Sequence, residues 1–572
     1  MKKDKNFVYI NYIDKDIYIK LKIKGILIFW QKDSIKNLCS LIVKLNKKNI
    51  IIYSNNVTLL FLSLIREFPN LKDKFNVDSF LEKDLVYFFS LEEVNTKNRC
   101  IFKCFTKFII NVEENLDLND KNIEIISGDF IKTMEKEIGY LSENIVQMYR
   151  NWEKFSYSIS SISINIFKFN FNKKFIEIRT SIEEDLIFRK AYFGGRCEVF
   201  GNVEGFNEKI FHFDFNSMYG QIMMQKFPLK EYIYKEANLN INRPGFYYIK
   251  IKSLNLNIPV LPHRSEEEAD GQDMGIMFTN GEFEGLYWYE EILLFKEEGG
   301  LIEEIVYGYE FTKKEDYVFK SFAEYCILKK KNGNASERKI WKSILVSFYG
   351  RLGMGKRTSK TILMFEKDYL ENKKKYEIIR EVWFRGNECG VVEIKNIEVR
   401  KELPSSVMYA AIITSKARVK LYRAFKEVEK NGGRVLYCDT DSIFAAYKRD
   451  VGNEKHGDIF WDSKKKNTRI DEAVFAAVRT YSIRNKGEWE TKISGTPRNH
   501  VSFDNFYKSF HNMRSGGYFA RINKKSIFNF NEWNEEKVIW MDCYKKRQFY
   551  NNKLNSKPLF KKGGTYINEP FF

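Results

Sequence analysis

The chain has 572 residues, 44% of them apolar and 16% aromatic with only 9 Pro, a composition that excludes a disordered protein and exceeds one ordinary domain. Lys and Arg total 95 against 76 Asp and Glu, a formal charge of +19 that suits a polyanionic partner, although AT-rich coding also enriches Lys, Asn, Ile and Phe. The eight Cys form no CxxC pair and the His number five, which argues against zinc and disulfide frameworks; no apolar run reaches membrane-spanning length, so a soluble protein of a reducing compartment, host cytoplasm or organelle, is expected, with no membrane partner and no secretion.

Residues 1 to about 185 alternate β-rich runs, Ile26 to Trp30 and Ile50 to Tyr53, with amphipathic stretches such as Val57 to Phe68, the pattern of an α/β layer. Gly194 and Gly195, the acidic run from Ser265 to Gly275, and Gly353 with Gly355 read as punctuation. An aromatic strand ends in Asp214 and runs into a turn displaying Asn216, Ser217 and Tyr219. A carboxylate there can hold a metal while backbone amides face a triphosphate, but such a strand end is more often merely capped. The aromatics of Leu286 to Tyr289 read as core, and His212 and His263 as structural.

Phe322, Tyr325, Leu328, Ile340 and Ile344 have helical spacing broken at Asn332-Gly-Asn334, which predicts a helix pair with a tight turn. On the second helix Lys342, Val346 and Tyr349 share a face. With Lys330 and Arg338 they offer cations for phosphates and a ring for a base, or simply a solvated basic surface. Val435 to Phe444 sets apolar residues on both sides of Asp439-Thr-Asp441, predicting a β-hairpin with acids at its tip. Each segment alone has a bland reading. Together, acids in the outer two and cations in the middle one outline a phosphoryl-transfer site.

At these residues the chain resembles the family B DNA polymerases. The segment from Asp214 to Gly220 is similar to their DxxSLYP motif, Lys342 to Gly350 to KxxxNSxYG, and Tyr437 to Ser442 to YxDTDS. Tyr192-Phe-Gly-Gly195 resembles the YxGG motif of the protein-primed branch, which contacts single-stranded template, and Thr414 to Arg418 resembles TxxGR with Ala in place of Gly. The resemblance implies an α/β and α+β multidomain fold: an exonuclease-like, RNase H-like domain at 1–185, then a right-hand polymerase. Its palm would occupy 186–230 and 403–485, the fingers 321–352, and a thumb and C-terminal region 486–572. Insertions would fall at 231–320, a candidate terminal-protein-binding region, and at 353–402, a candidate processivity hairpin.

It further implies DNA-directed DNA synthesis from dNTPs on a primed template with two Mg²⁺ ions, for which Mn²⁺ can substitute, and a protein primer. Asp214, the Phe215 carbonyl and Asp441 would hold the metals, and Asp439 would support the site. Ser217 and Tyr219 would line the nucleotide, Tyr219 excluding a 2′-hydroxyl; Lys330, Arg338 and Lys342 would meet the triphosphate and Tyr349 the nascent pair. Tyr192, Gly194, Gly195, Thr414, Arg418, Arg479 and Tyr481 would contact DNA.

The sequence departs from the family pattern at Gly220, where Pro is usual, at Val346, where Asn is usual, and at Arg479-Thr-Tyr481, which stands for KxY. In the exonuclease region Leu60 and Asn144 replace acids and no DxE occurs in the first 60 residues, so an exonuclease fold without exonuclease activity is expected. Two other functions compete: specialised or untemplated polymerisation in a mobile element or defence system, and non-catalytic nucleic-acid binding. Three clustered carboxylates oppose the second, since they repel phosphates.

Overall fold

The structure, a computed structural model, describes strands between residues 7 and 104, most of 159–449 and 468–511, and short stretches from 523 to 567. Val57 to Phe68, Leu60 and Asn144 lie outside the described residues. None of the described helices is long and apolar enough to cross a membrane.

The amino-terminal strands belong to one mixed sheet of ten. Phe7–Ile13, Ile50–Ser54 and Arg99–Cys104 run parallel, and antiparallel neighbours extend them on both sides. The expected strands near residues 26 and 50 are both present. The segment 353–402, a candidate processivity hairpin in the sequence, contributes strands to the same sheet. Its strands Ser359–Phe365, Cys389–Lys395 and Ile378–Trp383 form an antiparallel unit with Cys389–Lys395 in the middle, which continues this sheet, with Thr361 paired to Leu81. Such pairing fills an edge that would otherwise leave backbone groups open.

Among the described residues the helices are α1 (Ile159–Ile166), α2 (Ile182–Arg189), α3 (Met218–Met223), α4 (Tyr289–Glu297), α5 (Lys320–Asn332), α6 (Ala335–Leu352), α7 (Val407–Lys430) and α8 (Phe503–His511). The pair α5 and α6 has the expected turn, closed by a capping box. The Asn334 side chain accepts from Glu337 N–H at 2.9 Å, and Glu337 Oε2 accepts from Asn334 N–H at 3.0 Å. Leu328, expected on the apolar face of α5, is instead 55% exposed, while Phe322, Ala323 and Cys326 are buried. It lies about 120° around the helix from Phe322 and about 160° from Cys326.

A five-stranded antiparallel sheet carries the site, in the order Thr468–Ile470, Lys209–Asp214, Ser442–Tyr447, Gly433–Asp439, Cys197–Val199. Helix α7 packs behind it, and its stretch from Val407 to Ile413 has no exposed surface. Burying that many apolar side chains, each contributing about 1.5–3 kcal/mol, fixes the sheet against α2, α3, α4 and α6.

The 231–320 insertion is a second sheet built on Tyr232–Lys235, Leu301–Phe311, Gly245–Ser253 and Asn280–Trp288. Leu286, Tyr287 and Trp288 are core there, and His212 stacks on Phe444 at 4.2 Å. Strand pairing crosses the expected 485/486 boundary in two places. Glu488–Lys492 completes a three-stranded sheet with Glu472–Ala477 and Thr480–Asn485, and Phe560–Lys562 joins the insertion sheet parallel to Asn280–Trp288. The carboxyl-terminal stretch is tied in by a buried ion-pair chain: Arg547 Nη1 meets Glu198 Oε1 at 2.9 Å, and Glu198 Oε2 meets Arg196 at 2.6 Å.

Candidate active site

The acids arise from a two-residue hairpin turn. Asp439 pairs with Ser442, so Thr440 and Asp441 form the loop, and Thr440 adopts φ 60°, a conformation costly for a β-branched residue. The backbone is held there by its neighbours: Thr440 N–H donates to Arg196 O at 2.8 Å, and Asp441 N–H to Asp439 O at 2.6 Å. On the adjacent strand Asp214 pairs with Ser442, and Phe215 N–H donates to Asp441 O at 2.8 Å. Asp214 and Asp441 therefore emerge side by side from two neighbouring strands.

After Asp214 the chain turns sharply. Ser217 takes φ 57° and opens α3, displaying Asn216 and Ser217 toward the end of α5. Lys330 Nζ donates to Ser217 Oγ at 2.5 Å and to Asn216 Oδ1 at 3.3 Å. This brings a cation from the helix pair beside the carboxylate strand. Arg338 and Lys342 lie on α6 and are exposed; Val346, one turn past Lys342, is also exposed at 50%. Gly220 permits close helix contact, since a Cβ there would sit 2.8 Å from Leu345 Cδ2.

Three tyrosines join the segments. Tyr219 stacks on Tyr349 with centroids 4.3 Å apart, and Tyr349 Oη lies 3.4 Å from Tyr192 Oη. Burial pushes all three phenols above the ordinary tyrosine range, so they stay protonated donors at any working pH. Gly195 lies directly under the acid turn: a Cβ there would meet Thr440 Cγ2 at 2.8 Å and Tyr219 Oη at 3.0 Å.

Asp439 has its own set of partners. Arg479 Nε stands 3.5 Å and Lys492 Nζ 3.8 Å from Oδ2, while the Cys197 thiol donates to Oδ1 at 3.1 Å. Burial pushes the Cys197 thiol up to about 12, with the Asp439 charge adding to the shift. Arg479 sits at φ 57°, its N–H bonded to Tyr437 Oη at 2.9 Å, and Tyr481 packs against Tyr437, Phe444 and Phe475.

Thr414 and Arg418, both expected at the template, are buried. Thr414 has no exposed surface, and its hydroxyl donates to the Ala410 and Ala411 carbonyls of its own helix at 3.1 Å each. Arg418 is 4% exposed, forks onto Glu291 at 2.6 and 2.7 Å, and donates to Phe193 O at 2.7 Å and Gly194 O at 2.9 Å. It shapes the Tyr192 to Gly195 loop from within. Sequence reasoning missed Cys197, Lys492 and this Arg418–Glu291 pair, whose partners are distant in sequence and carry no motif.

Among the described residues no group of three or more His, Cys, Asp and Glu gathers as a metal cage. Asp214 and Asp441, on adjoining strand ends, offer carboxylate oxygens, the donor type that suits Mg²⁺ or Mn²⁺ sharing its shell with substrate oxygens and water.

Comparison with known proteins finds a match over residues 1–418 to the family described as DNA polymerase type B, organellar and viral. A probable DNA polymerase of Podospora anserina is 24% identical over 488 residues, covering 77% of this chain and 39% of that protein. A DNA-directed DNA polymerase of Enterobacteria phage PRD1 is 28% identical over 315 residues, covering 52% of this chain and 50% of that protein. This chain thus spans about half or less of the length of these curated relatives. Among solved structures, Phi29 DNA polymerase complexed with primer-template DNA and incoming nucleotide matches with a TM-score of 0.67 at 14% identity, covering 94% of this chain and all of that one. The form complexed with single-stranded DNA matches with a TM-score of 0.62 at 14% identity, covering 94% of this chain and 100% of that one.

Proposed function

The chain belongs to the DNA polymerases of type B, organellar and viral, and we propose that it adds deoxynucleotides to a primer 3′-hydroxyl on a DNA template. The observation that carries this reading is the juxtaposition of Asp214 and Asp441 on neighbouring strand ends, with Lys330 reaching the turn that follows Asp214. Two Mg²⁺ ions held by these carboxylates would supply charge neutralisation at the reacting phosphate.

The chain's own residues do the rest. Lys330 leaves Ser217 and Asn216 to meet the triphosphate, and Lys342 and Arg338 extend the cationic face of α6. Tyr219, braced flat against Tyr349, fills the space where a ribose 2′-hydroxyl would go, which selects deoxynucleotides. Asp439 keeps Arg479 and Lys492 beside the hairpin, where they receive the primer's terminal phosphates. The test is incorporation of labelled dNTP on a primed template with Mg²⁺ or Mn²⁺. Asp441→Asn and Asp214→Asn should each abolish it, and activity equal to the unaltered protein would refute the site.

Two finer assignments belong to the same proposal. Priming by a protein hydroxyl, with a terminal protein on the 231–320 insertion, is supported by the Tyr192 to Gly195 loop; dNTP label fixed to protein in a primer-free reaction tests it. Loss of proofreading is supported by Leu60 and Asn144. Metal-dependent removal of a mismatched 3′ nucleotide would overturn it. A second reading, relaxed or untemplated synthesis, draws on the exposed aliphatic Val346 at a position where an amide is usual. Faithful copying of a defined template would dispose of it.

A further inference from the structure

The loop from Tyr192 to Gly195 is gripped from two sides, and one grip comes from the insertion. Arg264 lies on the short strand His263–Arg264, paired with Ile276–Met277. Its guanidinium donates to Arg189 O at 3.4 Å, to Lys190 O at 3.3 Å and to Tyr192 O, and its carbon lies 4.6 Å from the centroid of the Phe193 ring. The first two carbonyls end α2, and the third belongs to the loop that follows. A helix terminus leaves carbonyls without helical donors and gathers partial negative charge, so a guanidinium there serves as a cap delivered from elsewhere in the chain.

Two further arginines surround the loop, and each is already matched. Arg189 forks onto Asp185 at 2.7 Å through two nitrogens, and Arg418 forks onto Glu291. Arg264, like Arg418, meets loop carbonyls and the Phe193 ring. The loop it holds leads straight to the acid turn, because Arg196 O accepts from Thr440 N–H at 2.8 Å and Gly195 lies against Thr440.

We propose that Arg264 is a positioning residue, through which the insertion caps α2, fixes the Tyr192 to Gly195 loop and so sets Thr440 and Asp441. The inference rests on the polymerase reading of Asp214 and Asp441. A planar fork that reaches three carbonyls and lies over a ring is not replaced by a single ammonium. A direct contact with DNA phosphate, the competing role, is replaced by Lys and adds to the salt dependence of DNA binding.

The experiment uses the full chain with Arg264→Lys and Arg264→Gln. Single-nucleotide extension on a primed template should lose about ten-fold in kcat in both variants, as expected when catalytic groups shift by a fraction of an ångström, with KM for DNA little changed. The slope of log Kd for DNA against log salt should stay that of the unaltered protein. Full rescue by Lys, or a slope reduced by about one, makes Arg264 a phosphate contact and overturns the proposal. Hydrogen exchange of amides 191–196 reads the clamp without any activity: faster exchange in Arg264→Gln supports it, and unchanged exchange overturns it. Failure of the unaltered protein to incorporate dNTP would count against the polymerase reading and leave the exchange result standing. Phe193→Leu provides a second variant, removing the ring under the guanidinium, and should shift the same amides.

Discussion

Replacing Gly195 by Ala tests how the acid turn is held. Gly195 has no unusual backbone angle, so the effect is one of space alone. The added carbon would stand 2.8 Å from Thr440 Cγ2, 3.0 Å from Thr440 Oγ1 and 3.0 Å from Tyr219 Oη. Ordinary carbon contacts lie near ~3.5–4.0 Å, so about 0.7 Å or more must be found. Tyr219 is braced by Tyr349, and Thr440 is bonded through its own N–H to Arg196, the residue after the glycine. The turn is the part that yields. Overpacking of this kind costs about 1–3 kcal/mol in stability, while an ångström-scale displacement of a catalytic group costs about a hundred-fold in rate. Gly195→Ala should therefore lower kcat for primer extension by ten- to a hundred-fold with only a small fall in melting temperature. Thr440→Gly removes two of the three close atoms, leaving Tyr219 Oη, and suits φ 60°, so Gly195→Ala with Thr440→Gly should recover most of the loss relative to Thr440→Gly alone. Purely additive effects across that cycle, or full activity of Gly195→Ala, would refute the reasoning.

Three further outcomes follow from the buried groups. Glu291→Gln leaves the Arg418 guanidinium, 4% exposed, without its carboxylate, and should destabilise the protein by about 3–5 kcal/mol in denaturant titrations. His263 is held down to about 4 by burial and by Lys561 beside it, so the unfolded chain binds a proton first; stability should fall as pH drops from about 6.5 to about 4, and His263→Phe should flatten that segment of a pH series of melts. Cys197, pushed up to about 12, should resist alkylation by iodoacetamide at pH 8 in the folded protein and react once the chain is unfolded, as followed by peptide mass spectrometry.

Much of the frame was legible locally. The hairpin at 439–441 announced itself because apolar residues flank the acids on both strands, and the α5–α6 turn because Asn332-Gly-Asn334 interrupts a helical period and supplies a cap. The approach of Lys330 to Ser217 was within reach of the resemblance, since both segments belong to recognisable motifs. What stayed hidden depends on pairing between remote segments. Nothing in the period of Arg418 says that it faces Glu291 and two carbonyls instead of solvent, and an arginine in a motif reads as basic surface until its partner is located. Arg264 sits next to an acidic, Gly-containing run and carries no signal of its own. The joining of the strands at 359–395 to the amino-terminal sheet, and of Phe560–Lys562 to the insertion sheet, was not legible, because edge pairing is set by the neighbour's backbone and not by side-chain pattern.

The parallel pairing of Asn280 with Phe560 has a consequence for how the protein is made. The strand Asn280–Trp288 leaves the ribosome about 280 residues before the strand that covers its edge, and at about 5–20 residues per second that interval is roughly 15–60 s. Throughout it the nascent insertion presents an open edge, and Glu198 lacks the Arg547 that arrives in the same late stretch. The catalytic hairpin itself is complete once residue 447 has emerged. Synthesis thus builds the chemistry before the brace, and a chain stalled in that window carries every acid of the site beside an uncovered strand that a neighbouring nascent chain can pair with.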